Sequence, residues 1–244
     1  PARADDWSEN EHYIAFKTSL SLWRYDQSTK TGHATQIFSY RSETEDAIRA
    51  NYDQHDMKIL SVSDKGDVDF MVYGYVNRGQ HEGNNGILYY RYDSSEDTVT
   101  EKFFIAIPET YEEIKWNLDK LSYLSGDGML YLYYNGSVYG IDTNSLEVVT
   151  MATGLQASAF VSSDRQQYIA YQSTEAEDIN HSSKITLVNL EGNQASEIQG
   201  SGYLRVIGFN QDDLIYGSID PGYASAYTER HQIPISEIHI VGPD

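Results

Sequence analysis

The chain has 244 residues, with 17 Lys and Arg against 37 Asp and Glu, and its formal charge of −20 excludes duplex nucleic acid and an anionic lipid leaflet as default partners. At 40 % apolar and 13 % aromatic residues it is too rich in core-forming side chains for a disordered acidic tail. Cysteine is absent, so disulfides, thiolate nucleophiles and thiolate metal sites are ruled out.

Pro1–Asn10 is polar and acidic and lacks the basic-then-apolar order of a signal peptide. Strand-like runs follow at Tyr13–Phe16 (YIAF), Ser21–Asp26 (SLWRYD) and Ala34–Phe38 (ATQIF), and they read as the last three strands of a first module whose opening strand lies upstream or is borrowed. Ser42–Met57 is polar and helix-friendly, with Ser42 and Glu45 at capping-box spacing.

From Ile59 to Ile105 come ILSVS, the turn DKGDVD, FMVYGYV, a polar loop NRGQHEGNNG, ILYYRYD, the turn SSED and TVTEKFFI. A second helix-friendly stretch, Glu109–Lys120 (ETYEEIKWNLDK), leads into the same grammar at Leu121–Met151, where Asn135-Gly136 between apolar runs is a strong hairpin signal. The grammar returns at Ala157–Ile198, and Leu204–Phe209, Leu214–Ser218 and Ile235–Val241 read as three strands of a last copy. The tally is 18 strands in five groups. Tyr supplies 21 of the aromatic residues, which suits half-exposed strands because a ring packs while its hydroxyl reaches water or a partner.

Four short antiparallel strands in roughly 40–50 residues match a propeller blade. The turn Ser163-Asp164, the strand Tyr168-Ile169-Ala170-Tyr171 and the closing run Ile185-Thr186-Leu187-Val188-Asn189-Leu190-Glu191-Gly192 resemble the TolB-like and WD40-like propeller repeats, with Ser63-Asp64-Lys65-Gly66, Ser125-Gly126-Asp127-Gly128 and Tyr13-Ile14-Ala15-Phe16 as further copies. Arg165-Gln166-Gln167 departs from that pattern, standing where the turn glycine is expected. The resemblance implies an all-β propeller, or a propeller-like arc, of about five four-stranded blades, incomplete at both ends. It also implies partners bound at a channel mouth or on a face. The expected organisation is one domain, 1–244, with blades at 1–40, 59–105, 121–151, 157–199 and 203–244 and connecting segments at 42–57 and 109–120.

Catalytic signatures are missing. Gly136-Ser137-Val138-Tyr139-Gly140 puts its serine in the wrong place for a nucleophile elbow, and His81-Glu82 is not followed by the second histidine of a zinc helix. The acidic runs Asp93–Asp97 and Glu175–Asp178 lack the alternating ligands and distal bidentate acid of a calcium loop and read as solvated turns. The recurring Asp64, Asp127 and Asp164 are explained by the turn each copy needs. No catalytic residue, metal or cofactor is expected.

The long loops between second and third strands, 78–85, 175–183 and 220–234, occupy one position in three copies, and such loops fall on one face. They make Arg78, His81, Glu82, His181, Tyr223, Tyr227, Arg230 and His231 the candidate ligand-binding residues. Trp23, inside a strand, is expected in the core, whereas Trp7 and Trp116, in polar segments, are candidates for exposure, and an exposed Trp beside carboxylates favours a glycan.

The expected function is recognition of a protein or glycan by an extracellular or cell-surface module, without bond making and without membrane insertion by this segment, as part of a longer bacterial protein. Two readings stay open beside it: a propeller of a secreted hydrolase, glycan-active or gating a separate catalytic domain, and an extracytoplasmic sensor of an anchored envelope protein.

Overall fold

The computed structural model describes residues 6–18, 21–29, 33–39, 54–76, 79–172, 179–222 and 235–242. Among the described residues the chain is all-β apart from one helix and short 3₁₀ turns, and the described strands form five antiparallel sheets, each a simple meander of the propeller-blade kind. The first sheet holds β1 (Asp6–Trp7), β2 (Tyr13–Thr18), β3 (Ser21–Asp26) and β4 (Ala34–Ser39), and the second holds β5 (His55–Val62), β6 (Val68–Tyr75), β7 (Asn85–Asp93) and β8 (Thr98–Ala106). After helix α1 (Tyr111–Lys120) comes the third sheet, β9 (Ser122–Leu124), β10 (Met129–Tyr134), β11 (Ser137–Asp142) and β12 (Val148–Ala152). The fourth is β13 (Phe160–Ser162), β14 (Tyr168–Gln172), β15 (Lys184–Asn189) and β16 (Gln194–Gln199), and the fifth is β17 (Tyr203–Asn210), β18 (Asp213–Ile219) and β19 (Ile235–Val241).

Two expectations are corrected. The first sheet has its own opening strand, because Asp6 and Trp7 pair with Ala15 and Ile14. That strand is two residues long and carries no apolar alternation for a pattern to register. In addition β5 begins at His55, ahead of the expected Ile59, so the end of the 42–57 segment is strand. The rest of that segment, 42–53, lies outside the described residues.

The chain divides into two compact units, Pro1–Trp116 and Asn117–Asp244. In the first, Ala15, Leu22 and Ile37 of the first sheet meet Met57, Val68, Phe70, Val72 and Leu88 of the second in one apolar cluster. Every residue of β6 from Val68 to Gly74 is buried, which explains why Phe70–Tyr73 is a continuous apolar run instead of an alternation, and the one buried acid of the strand, Asp69, accepts a hydrogen bond from the Tyr89 hydroxyl. In the second unit, Tyr131, Tyr133 and Val138 pack with Phe160, Ile169 and Val188, and Ala170, Ile185 and Leu187 pack with Leu204, Val206 and Leu214. The outer strands β8, β12 and β16 are mostly exposed and correspondingly polar or mixed.

The hairpin between first and second strands is built the same way four times. Ser8, Ser63, Ser125 and Ser163 each donate a backbone N–H across the turn and accept one on the carbonyl from the residue three places on. Their hydroxyl oxygens accept a further N–H, from Tyr13, Asp67, Met129 and Tyr168 respectively. The residue three places on has positive φ in every copy: Glu11, Gly66, Gly128 and Gln166.

Glycine adopts that conformation freely, whereas Gln166 at φ +61° carries a steric cost of about 1–2 kcal/mol. Its side chain offsets this, with Oε1 accepting from the Ser122 N–H at 3.0 Å and Nε2 donating to the Asp119 carbonyl at 2.9 Å, so the turn of the fourth sheet ties down the entry to the third. Gln166→Ala keeps the strain and removes both side-chain hydrogen bonds, and is expected to cost about 2 kcal/mol in urea unfolding. Gln166→Gly removes strain and bonds together, and should lie within about 1 kcal/mol of the wild type. Equal losses in the two variants would contradict this account.

Candidate functional site

In a meander, the loop from second to third strand and the connection from fourth strand to the next sheet lie at the same end. In the second sheet this end is held together by Asn85, whose carbonyl accepts from the Ile107 N–H at 2.9 Å and whose Nδ2 donates to the Glu109 carbonyl at 2.8 Å. The end therefore carries both the 76–84 loop and the N-terminus of α1.

The loop is braced at its base, where Val76 N–H donates to Asn84 O and Gly83 N–H to Val76 O. Within it His81 lies flat on Phe104 of β8, ring centroids 4.1 Å apart, and its Nε2 sits 3.1 Å from the Glu101 carboxylate. Glu101 also accepts from the Tyr90 hydroxyl at 3.3 Å, and Glu82 is exposed beside this group. His81 thus fastens the loop to the outer strand. In the second unit the loop before β15 is fastened differently. Gln172, buried, donates to Ile179 O and accepts from Val206 N–H, Leu204 N–H donates to Ser182 O, and the His181 ring meets Tyr203 edge-on at 5.0 Å. Arg78, Tyr223, Tyr227, Arg230 and His231 lie outside the described residues.

Helix α1 adds a group that the sequence flags only through its polar setting. Thr110 and Glu113 form a reciprocal capping box: the Thr110 N–H and hydroxyl donate to Glu113 Oε2 at 3.0 and 2.9 Å, and the Glu113 N–H donates to Thr110 Oγ1 at 3.4 Å. Those donors, the backbone N–H first, hold the Glu113 carboxyl below its ordinary pKa. Tyr111 stacks on Tyr73 at 6.1 Å, and Ile114 and Leu118 are buried, so the helix is anchored along one side. On the other side Trp116 is 51 % exposed, and Glu112 and Glu113, four and three residues earlier and also exposed, share its face. Trp23, by contrast, is half-buried in β3.

Other polar clusters are engaged internally. Asp93 accepts from Ser95 N–H, Ser95 Oγ and Glu96 N–H, and Asp97 accepts from the Tyr92 hydroxyl, so both acids serve the turn between β7 and β8. The same bonds hold the Asp93 carboxyl below its usual pKa, the Ser95 hydroxyl contributing most. Asp67 accepts from the Ser94 N–H and hydroxyl. Tyr123 donates to Glu191, and burial first, then that bond, pushes the phenol above its ordinary pKa.

Ser218 Oγ lies 2.7 Å from His239 Nε2, but Glu237 approaches that same nitrogen at 3.8 Å. A nucleophilic relay needs serine and acid on opposite ring nitrogens, so this trio does not have triad geometry. Among the described residues no group of three His, Asp or Glu is placed to hold a metal ion, and no helix is long and apolar enough to cross a membrane.

No family model matches the chain, and no curated protein matches it. Among solved structures it is similar to the tricorn protease, with 13 % identity over 88 % of this chain and 18 % of that one at a TM-score of 0.45. It is similar also to the acylaminoacyl peptidase of Pyrococcus horikoshii, with 12 % identity over 89 % of this chain and 35 % of that one at a TM-score of 0.47. A third similar structure is a putative TolB from Agrobacterium tumefaciens, with 16 % identity over 91 % and 71 % of the two chains at a TM-score of 0.40. The chain spans less than a fifth of the length of the tricorn protease and about a third of that of the peptidase. The likeness is to β-propeller structures, the TolB protein among them, and it is a likeness of fold.

Proposed function

We propose that this chain is a non-catalytic recognition module acting outside the cell, and that it binds a glycan or protein through the end of its sheets that carries the long loops and α1. The observation that carries this reading is Trp116: a half-exposed indole flanked by Glu112 and Glu113 on a helix that is capped and anchored by buried residues. An indole face stacks on the apolar face of a sugar ring, and neighbouring carboxylates accept hydrogen bonds from its hydroxyls. A rigid element holds these groups in place before the ligand arrives, which lowers the entropic cost of binding.

In this reading Arg78, His81 and Glu82 in the first unit, and His181, Tyr223, Tyr227, Arg230 and His231 in the second, are ligand-binding candidates of the loops that carry them, and 1–244 is proposed as one propeller domain. The absence of cysteine supports an oxidising extracellular setting, where a free thiol is a liability.

Titration of the full chain with a panel of neutral oligosaccharides, read by tryptophan fluorescence, is expected to give a saturable change for at least one sugar. Trp116→Ala is expected to weaken that binding at least tenfold, with a cooperative thermal transition showing that the variant is folded. Saturable binding that survives Trp116→Ala unaltered would remove the indole from the site. No response across the panel would leave the protein-ligand form of the reading, and loss of a captured protein partner on the same substitution would then be its support.

A further inference from the structure

The hairpins that join third to fourth strands give an internal comparison. Four residues after Asp93, Asp142 and Asn189, which end β7, β11 and β15, the backbone takes positive φ, at Asp97, Leu146 and Asn193. Asp and Asn tolerate that conformation because a short polar side chain bonds locally, whereas a leucine is strained in it. Three residues further on, the exposed outer strand carries Thr100 in the second sheet, Val149 in the third and Ser196 in the fourth. The next residue is Glu101, Thr150 or Glu197. The third sheet thus puts leucine, valine and an uncharged threonine where the other two have polar or acidic residues. Leu146 is 48 % exposed, Val148 61 % and Val149 55 %. The hairpin itself does not call for these apolar groups, since two other sheets build it without them.

Val148 and Val149 are successive residues of a strand, so their side chains stand on opposite faces of the sheet. Gly140 lies opposite Val149 and gives it no cross-strand cover. A partner docked on one face would cover one valine, whereas a strand added along the outer edge of β12 covers both. β12 is the last strand in the order of its sheet, with β11 on its inner side. The Asp142 N–H donates to the Glu147 carbonyl at 3.0 Å, so by antiparallel alternation Val149 also bonds to β11, and Val148 and Thr150 turn their N–H and C=O groups outward. The register shifts opposite Val138 and Tyr139, past Thr150, so the regular edge runs from Glu147 to Thr150. Charged residues blunt the corresponding edges of β8, through Glu101 and Lys102, and of β16, through Glu197, but β12 contains none.

The charge around this edge has one sign. Between Lys120 and Arg165 the sequence holds four acids, Asp127, Asp142, Glu147 and Asp164, and no lysine, arginine or histidine. Glu147 is exposed between Leu146 and Val148, and the Asp142 carboxylate accepts the Asn144 and Ser145 N–H groups at 2.8 and 3.0 Å. A second copy of a chain with formal charge −20 is repelled by such an edge, and a cationic segment is attracted to it. We propose that the outer edge of β12 docks an extended cationic segment of a partner protein, which adds to the third sheet as a fifth strand. Its backbone bonds to Val148 and Thr150, its apolar side chains cover Val148 and Val149, and its lysine or arginine residues meet Glu147 and Asp142. In strand addition the main-chain bonds give affinity and the alternate side chains give selectivity. The site shares no residue with the ligand site proposed above.

The probe is the labelled peptide acetyl-Lys-Val-Lys-Val-Lys-Val-Lys-amide, titrated with the full chain and read by fluorescence anisotropy. Saturable binding is expected below about 1 mM. The peptide with glutamate for lysine should bind at least tenfold more weakly, and so should one with proline for the central valine, which removes a backbone donor. Val149→Lys is expected to weaken binding at least tenfold, whereas Ser196→Lys, at the matching place on β16, makes the same change in net charge and should stay within twofold of the wild type. Amide hydrogen exchange supplies the register: peptide binding should slow the Val148 and Thr150 N–H groups and leave Val149, already bonded to β11, unchanged. Absence of saturable binding at about 1 mM, equal affinity for the glutamate peptide, or equal losses in the two lysine variants would each overturn the proposal. Full binding of the proline peptide, or exchange unchanged at Val148 and Thr150, would overturn strand addition. Self-association of the wild type in sedimentation, lost in Val149→Lys, would give the edge to a second copy instead.

Discussion

Phe70→Ala is expected to cost about 3–5 kcal/mol, a large share of the stability of an ordinary domain. Phe70 is fully buried at the centre of β6, where its ring lies 5.1 Å from Phe38 of β4 and stacks on Tyr90 of β7 at 5.4 Å. Phe38 comes from the first sheet and Tyr90 from the second, so the ring fills the seam between them. Truncation would leave a cavity bounded by two other rings, and the surrounding strands cannot close it without breaking ladder pairs on both sides. Phe70→Leu keeps most of the volume and should lose about 1.5 kcal/mol or less. Urea unfolding followed by near-ultraviolet circular dichroism measures both, and a loss below about 1 kcal/mol for the alanine variant would mean that the two sheets are not held at this point.

The second large effect is expected at Gly74, for a backbone reason. Gly74 sits at φ +109° in β6, opposite His55 on one side and Gly86 on the other. A Cβ added there would lie 2.1 Å from the Gln54 carbonyl oxygen, which itself accepts the Tyr75 N–H at 2.7 Å. The obstacle is backbone, so no side-chain rotation relieves it. Gly74→Ala therefore combines a conformation that L-residues avoid with overpacking, about 1–3 kcal/mol each, and should destabilise by about 3 kcal/mol. Gly208 supplies the control, since a Cβ there meets nothing within 4 Å, and Gly208→Ala should fall within about 0.5 kcal/mol of the wild type. Similar losses at the two positions would show that the clash at Gly74 is relieved by movement of the 54–55 backbone.

The five-sheet plan was legible because its signals are local. Asn135-Gly136 reads as a tight hairpin, and both residues do take positive φ. The serine that opens each first turn could be read in three copies, from Ser63, Ser125 and Ser163, since an Asp or Gly follows it within two residues. The fourth copy was hidden at Ser8, where Glu11 holds the left-handed position and no glycine marks it. The capping box of α1 is written in the sequence as Thr110 and Glu113, the same spacing as Ser42 and Glu45, which lie outside the described residues.

Side-chain roles were harder to read than strands. His81 looks like a free loop histidine in sequence, yet it is stacked on Phe104 and held by Glu101, residues some twenty positions away whose approach depends on how β8 folds against β7. Gln166 looks like a lost turn glycine, and only the Asp119 and Ser122 backbone groups it reaches account for it.

By itself the sequence determined the all-β class, the recurrence of the four-strand module and the exclusion of thiol chemistry, because strand periodicity, turn residues and composition act over a few neighbouring residues. The tertiary structure alone decided that the Trp116 indole meets solvent and that the loop histidine His81 is pinned. Those outcomes depend on packing between residues far apart in the chain, and no local pattern encodes the distance between them.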